Sequence, residues 1–72
     1  MMPRLHSSTH IISILEKNGF GFVSQKGSHI KYRKISEEKT LTVIVPADKK
    51  EIPQGTFRSI LRQSQLTPKD FI

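Results

Sequence analysis

Hydrophobic residues recur along the chain first with a helical period and then with the two-residue period of β-strands. The first group gathers on one stripe of a helix and consists of Ile11, Ile12 and Leu15. Serine and threonine at 7–9 offer N-cap side chains before this stripe, and Asn18-Gly19 offers a left-handed C-cap after it. The pattern predicts a helix from about Ser8 to Asn18.

Three strand patterns follow. "FGFVSQ" alternates Phe20 and Phe22 with smaller residues, "HIKYRK" alternates strictly from His29, and "TLTVIV" begins at Thr40. Lys26-Gly27-Ser28 separates the first two as a short turn in which glycine is free to adopt a positive φ. Pro46 ends the third strand because it has no N–H to donate to a ladder. Tight connections of this kind predict an antiparallel meander.

A loop, a second helix and a short terminal segment complete the chain. "PADKKEIPQGT" has prolines near both ends and predicts the loop, and "TFRSILRQSQ" predicts the helix. The buried face of that helix is expected to carry Phe57, Ile60 and Leu61. In "TPKDFI", threonine, proline and aspartate have the spacing of a capping box, and Phe71 and Ile72 are expected to dock against the body of the protein.

The predicted fold is α+β with the order α-β-β-β-α, in which two amphipathic helices cover one face of a three-stranded antiparallel sheet. The covered face is expected to hold Phe22, Ile30, Tyr32, Leu41 and Val43. Alternation then places His29, Lys31 and Arg33 on the open face.

Length and composition bound what the chain does. Seventy-two residues make one domain, residues 1–72, with a thin core. There is no cysteine, which excludes disulfide and thiol redox chemistry and fits a cytoplasmic protein. The N-terminal segment lacks the features of a signal peptide, and no apolar run reaches the length of a membrane span, so no membrane association is expected.

Charge is the strongest compositional feature. Twelve Lys and Arg against six Asp and Glu give a net charge of +6. Such an excess on a small domain favours a polyanionic partner, of which nucleic acid is the commonest. An acidic protein or an anionic membrane surface has the same sign, and simple solubility is the remaining explanation.

The sequence also resembles a known family. "LEKNGFGFVSQKGSHIKY" followed by "LTVIVPADKKEIPQGTFRSILRQSQLTPKDF" resembles the HicA family of bacterial toxin–antitoxin mRNA interferases. The resemblance covers the chain from about Ile11 to Phe71. Its most specific parts are the G-S-H step at residues 27–29 and the helix "GTFRSILRQ".

The resemblance implies a fold similar to double-stranded-RNA-binding domains, ribosome-independent cleavage of mRNA, and neutralisation by a HicB-type antitoxin. DNA would be contacted only indirectly, through the complex with the antitoxin. The family's catalytic histidine lies in the G-S-H step, here His29. Family members often have P-x-H after the third strand, where this chain has Pro46-Ala47-Asp48, so no role is transferred to a second histidine.

The residues suit RNA cleavage without a metal or cofactor. The 2′-hydroxyl of RNA can attack the adjacent phosphate, so the protein needs a proton-transfer group near neutral pH and positive charge beside it. Histidine has the appropriate pKa, which makes His29 the catalytic candidate. The RNA-binding candidates around it are Lys26, Gly27, Ser28, Lys31, Arg33, Lys49 and Lys50. His6 and His10 lack a third ligand, so no metal site is assigned.

Two functions of different class fit these residues. The first is an endoribonuclease toxin that uses His29. The second is a non-catalytic RNA-binding module of the same fold, and Asp48 in place of a second histidine favours it slightly. Only the first requires the histidine. DNA binding by the chain alone is a weaker third hypothesis because no helix-turn-helix spacing is visible.

Overall fold

The computed structural model describes residues 5–72 and confirms the predicted α-β-β-β-α order. Its elements are α1 (Ser8–Lys17), β1 (Gly21–Lys26), β2 (His29–Ile35), β3 (Thr40–Pro46), α2 (Gln54–Ser64) and a 3₁₀ turn, η1 (Pro68–Phe71). The expectation that the N-terminal segment is not a signal peptide rests in part on residues 1–4, which lie outside the described residues. No helix within 5–72 is long and apolar enough to span a bilayer.

Local signals define the ends of α1. Ser7 is the N-cap, and its Oγ accepts a hydrogen bond from the His10 backbone N–H at 3.0 Å. At the other end the Asn18 side chain donates to the Ile14 carbonyl at 2.8 Å, and Gly19 takes a φ of +92°. A positive φ is easily adopted by glycine, so Asn18-Gly19 stops the helix as predicted.

The sheet is an antiparallel meander in the order β1-β2-β3. Both helices pack on one face, chiefly against β3, and β1 is left as an uncovered edge. The fully or nearly buried core residues come from both helices, the sheet and the terminal segment: Ile11, Ile14, Leu15, Phe20, Tyr32, Val43, Val45, Ile52, Ile60 and Phe71.

Two burial predictions are wrong. Phe22 lies on the helix-facing side, opposite Tyr32, but it is 61% exposed because the helices do not reach over β1. Phe20, which precedes the strand, is buried instead. Ile72 is 96% exposed, whereas its neighbour Phe71 is fully buried, so only one of the two terminal residues docks.

The outer edge of β3 is partly closed by α2. The Gln63 side chain of α2 accepts a hydrogen bond from the backbone N–H of Ile44 at 3.0 Å. Pro46, two residues further along the same edge, has no N–H to present. The sheet therefore offers a weaker pairing edge at β3 than at β1.

The terminal turn packs against both helices. The capping box predicted for this segment is present, with the Thr67 N–H donating to the Asp70 carboxylate at 2.8 Å. The His10 ring donates from Nε2 to the Phe71 carbonyl at 2.5 Å, which joins the turn to α1. The Phe71 ring meets the Phe57 ring edge to face, with 5.2 Å between centroids.

Replacing Phe71 with alanine should cost about 3–5 kcal/mol of the free energy of unfolding, the usual cost of removing a fully buried phenylalanine. Ile72→Ala, one residue away but exposed, should change it by less than about 0.5 kcal/mol. Urea unfolding of both variants measures the difference. Equal effects would show that the terminal turn does not complete the core.

Candidate nucleic-acid interface

The β1–β2 turn brings His29 to one end of the sheet. Lys26 and His29 are the last paired residues, and Gly27 and Ser28 form the two-residue loop between them. Gly27 has a φ of +58°, and the first central position of a type II′ turn requires such a value. The Gln25 side chain donates to the Gly27 carbonyl at 3.0 Å and closes the turn. A Cβ built on Gly27 meets nothing within 4 Å, so the space above the turn is open.

His29 is exposed on the open face, between Lys26 of β1 and Pro46 of β3. Directly opposed residues in antiparallel strands have Cα atoms about 4.5–5.5 Å apart. Cross-strand pairing therefore places Lys26, a positively charged residue, directly beside His29. The end of the open face that carries this pair is called the His29 end below.

A β-bulge at Val23 puts Lys26 on this face. Phe22 pairs with Tyr32 and Ser24 pairs with Lys31, so β1 advances by two residues while β2 advances by one. A bulge reverses the alternation beyond it. Without it, Lys26 would share the helix-facing side with Phe22; with it, Lys26 stands beside His29. Two adjacent apolar residues, Phe22-Val23, are the one sign of the bulge in the sequence, and they do not distinguish it from regular alternation.

Lys31 and Arg33 continue the open face away from His29. Each step of two residues along a strand covers about 6.8 Å, so Arg33 lies about 13–14 Å from His29. Lys31 pairs with Ile44, and the Arg33 Nε donates to Thr42 Oγ1 at 3.4 Å. The Thr42 contact directs the Arg33 side chain across the sheet towards β3. Of the RNA-binding candidates on this face, Arg33 lies farthest along the strand from the histidine.

The loop after β3 lies at the same end as the β1–β2 turn. The Ala47 N–H donates to the Ser28 carbonyl at 2.7 Å, which joins loop and turn directly. Asp48 has a φ of +56°, a conformation that aspartate tolerates better than most residues. Lys49 and Lys50 follow as exposed residues. The structure thus brings the two loop lysines to the end of the molecule that carries His29.

Ser8 holds that loop in place. Its Oγ donates to the Pro46 carbonyl at 2.6 Å and accepts from the Lys49 N–H at 2.9 Å, while its own N–H donates to the Lys49 carbonyl at 2.9 Å. The side chain is buried. Sequence reasoning treated Ser8 only as a possible helix cap, because nothing in a Ser-Ser-Thr run distinguishes the residue that caps from the one that binds elsewhere.

His6 and His10 lie on either side of Ser8 in the sequence and contact the helix side of the protein. Their rings stack with centroids 4.9 Å apart, and His6 also contacts the Phe57 ring at 4.9 Å. Burial lowers the pKa of His6 below its ordinary value, and neighbouring His10 lowers it further. Within residues 5–72, no three His, Asp or Glu side chains come together as a metal site would require.

The comparison with protein families identifies the class of protein to which this site belongs. The sequence model of the HicA toxin of bacterial toxin–antitoxin systems matches residues 8–66, a span that includes His29 and both helices. The protein is therefore a toxin of a toxin–antitoxin pair. It belongs to the HicA toxin family. No curated protein is similar enough in sequence to give a match.

The lowered pKa of His6 predicts a pH dependence of stability. Between the folded-state pKa and about 6.5 the unfolded chain binds more protons than the folded one, so the free energy of unfolding should fall as the pH drops below about 6.5. Urea unfolding at pH 7.5 and 5.5 should show a larger loss for the wild type than for His6→Asn. Titration of the carboxylates affects both proteins alike. An equal loss of unfolding free energy in the two proteins would therefore contradict a lowered pKa of His6.

Proposed function

We propose that this HicA-family toxin is an endoribonuclease that cleaves mRNA, with His29 as its single catalytic side chain. The observation that carries the proposal is the position of His29, an exposed imidazole beside Lys26 at the open end of a basic sheet face. The α-β-β-β-α order, which double-stranded-RNA-binding domains share, supports RNA as the substrate class. The protein would act without a metal or cofactor.

The proposed reaction uses the RNA's own nucleophile. The 2′-hydroxyl attacks the adjacent phosphorus, its proton leaves, and the 5′-oxygen of the next nucleotide departs after gaining a proton. His29 acts at one of these two proton transfers, and water, lysine or the substrate acts at the other. Lys26 offsets the negative charge that develops on the phosphorane, and the open space above Gly27 allows the backbone of the RNA to approach closely.

A non-catalytic RNA-binding module remains the second candidate. Asp48 favours it, because this residue stands where family members often carry a second histidine. Both candidates use the same lysines, so RNA binding alone does not separate them. Cleavage that depends on His29 does.

His29→Ala should reduce the rate of cleavage of a defined mRNA by about 10²–10⁴-fold, the usual contribution of one general acid–base group. RNA affinity and the unfolding midpoint should change little because the imidazole is exposed. Cleavage by the wild type should also continue in EDTA. Wild-type rates in the variant would contradict the role of His29, and loss of cleavage in EDTA restored by a divalent ion would contradict the metal-free mechanism.

Lys31 and Arg33 are proposed to bind successive phosphates along the open face. Changing both to methionine should weaken RNA binding and lower the slope of log affinity against log salt by roughly 0.7 for each phosphate that is no longer neutralised, or about 1.4 in total. Lys17→Met with Lys69→Met, two substitutions away from this face, should leave that slope close to the wild-type value. A full slope in the Lys31 and Arg33 variant would move the path of the RNA towards Lys49 and Lys50.

The partner antitoxin is proposed to be of the HicB type and to inhibit by covering the His29 end. A domain of net charge +6 with an open basic face favours rapid capture by an acidic partner. Antitoxin and RNA should therefore compete, and antitoxin should protect the amides of residues 27–33 from hydrogen exchange. Simultaneous binding of both with these amides unprotected would place the inhibitory contact elsewhere.

A further inference from the structure

An apolar cavity of about 830 Å³ opens on the helix side, between the N-terminal ends of α1 and α2 and the terminal turn η1. Its size lies in the range of small-molecule sites. Hydrophobic and aromatic side chains provide most of its lining, and the half-buried ones among them are His6, His10, Phe57 and Leu61. The family match spans residues 8–66, so one of its aromatic walls, His6, comes from outside the matched part of the chain.

The aromatic walls are fixed in place by their contacts. His10 donates from Nε2 to the Phe71 carbonyl, which sets the orientation of its ring. The His6 ring is stacked on His10, with 20° between the planes, and tilted against Phe57. Burial lowers the pKa of His6, which favours the neutral form of its imidazole. A group of closely packed aromatic rings suits a flat aromatic ligand.

The charges at this cavity have one sign. Among residues 5–72, Lys50 and Arg58 are the lysine and arginine side chains that line it, and no aspartate or glutamate does. Apolar walls with cations at the edge match a ligand that has a flat apolar part joined to an anion. A nucleotide within an RNA strand has this composition.

The loop that follows β3 links the His29 end of the protein to the cavity, because Lys50 of that loop lines it. Pro46 pairs with His29, and Lys50 follows Pro46 by four residues, a chain length that spans at most about 14 Å. The hydrogen bonds of Ser8 fix the loop between them. An RNA strand bound beside His29 and following this loop therefore arrives at the cavity.

We propose that the cavity binds one unpaired nucleobase of the RNA substrate, with a flanking phosphate held by Lys50 and Arg58. This inference rests on the proposed function, since it takes RNA as the ligand. Stacking of splayed bases on aromatic side chains is the usual way in which proteins recognise single-stranded RNA. The cavity would thus select the position of cleavage by fixing a nucleotide at a set distance from His29.

The test uses the full chain carrying His29→Ala, in which cleavage is expected to be slow and His6 and His10 are the two remaining imidazoles. The probes are single-stranded RNA oligonucleotides of about twelve nucleotides, in which each base in turn is replaced by an abasic unit. NMR should show shifts of the His6 and His10 ring C–H signals on addition of the intact RNA. One abasic position should abolish these shifts and weaken affinity roughly ten- to hundred-fold, the range expected for one stacked base.

A matched pair of charge reversals tests the phosphate contact. Arg58→Glu should weaken RNA binding. It should also remove the difference in affinity between RNA that is abasic at the critical position and RNA that is abasic elsewhere. Arg62→Glu makes the same change of charge one helical turn later, on an exposed side chain that does not line the cavity, and should retain that distinction. The pair separates a local contact from the effect of net charge.

RNA that binds without moving the His6 and His10 signals, or with equal affinity at every abasic position, would overturn the proposal. Ring shifts that appear with the antitoxin and not with RNA would overturn it too and would assign the cavity to the antitoxin. Cleavage by the wild type is measured separately. Base-dependent binding without cleavage would refute the proposed endoribonuclease and leave the base site standing.

Discussion

The arrangement of the candidate site depends on one buried hydroxyl group. Ser8 lies at the start of α1, and its three hydrogen bonds hold the loop that follows β3. That loop in turn binds the β1–β2 turn through Ala47 and Ser28. Three segments distant in sequence thus meet at one end of the protein. A buried hydroxyl that both donates and accepts leaves little freedom in the position of its partners, because breaking either bond would leave a polar group unpaired.

The hydrophobic core and the candidate site lie on opposite faces of the sheet. The helices cover the face of the sheet that contains Tyr32, Val43 and Val45, and they leave the other face free for charge. Lysine beside histidine would be costly in an interior, but on an open sheet face both side chains keep their water. The core can therefore remain thin without limiting how much positive charge the protein presents.

The sequence predicted the order of elements because each element carries its own signals. The caps of the first helix, the strand that begins at His29 and the capping box at Thr67 have local signals, and each is confirmed. The errors concern tertiary packing. Phe22 has the alternation of a core residue, yet the helices lie over β3 and leave it exposed. Local pattern shows which way a side chain points and does not show what covers it.

The candidate site was predictable to a similar degree. His29 and its lysines followed from charge, alternation and the family resemblance, and their catalytic and RNA-binding roles are still predictions. The bulge at Val23 and the bonds of Ser8 were not predictable, because both depend on how distant segments meet. The cavity at His6 and His10 was missed for the same reason. Its walls come from three separate segments, and no spacing along the chain reveals that they converge.

The contact between Gln63 and the edge of β3 has a consequence for assembly. A sheet grows when a new strand pairs with free backbone groups, and here the Ile44 N–H is occupied while Pro46 has none to offer. Growth is therefore directed to β1, the opposite edge. A strand added there would lie next to Lys26 and would widen the basic face on the side of the hairpin. A partner that binds by adding a strand to this sheet would therefore lie close to the His29 end without displacing a helix.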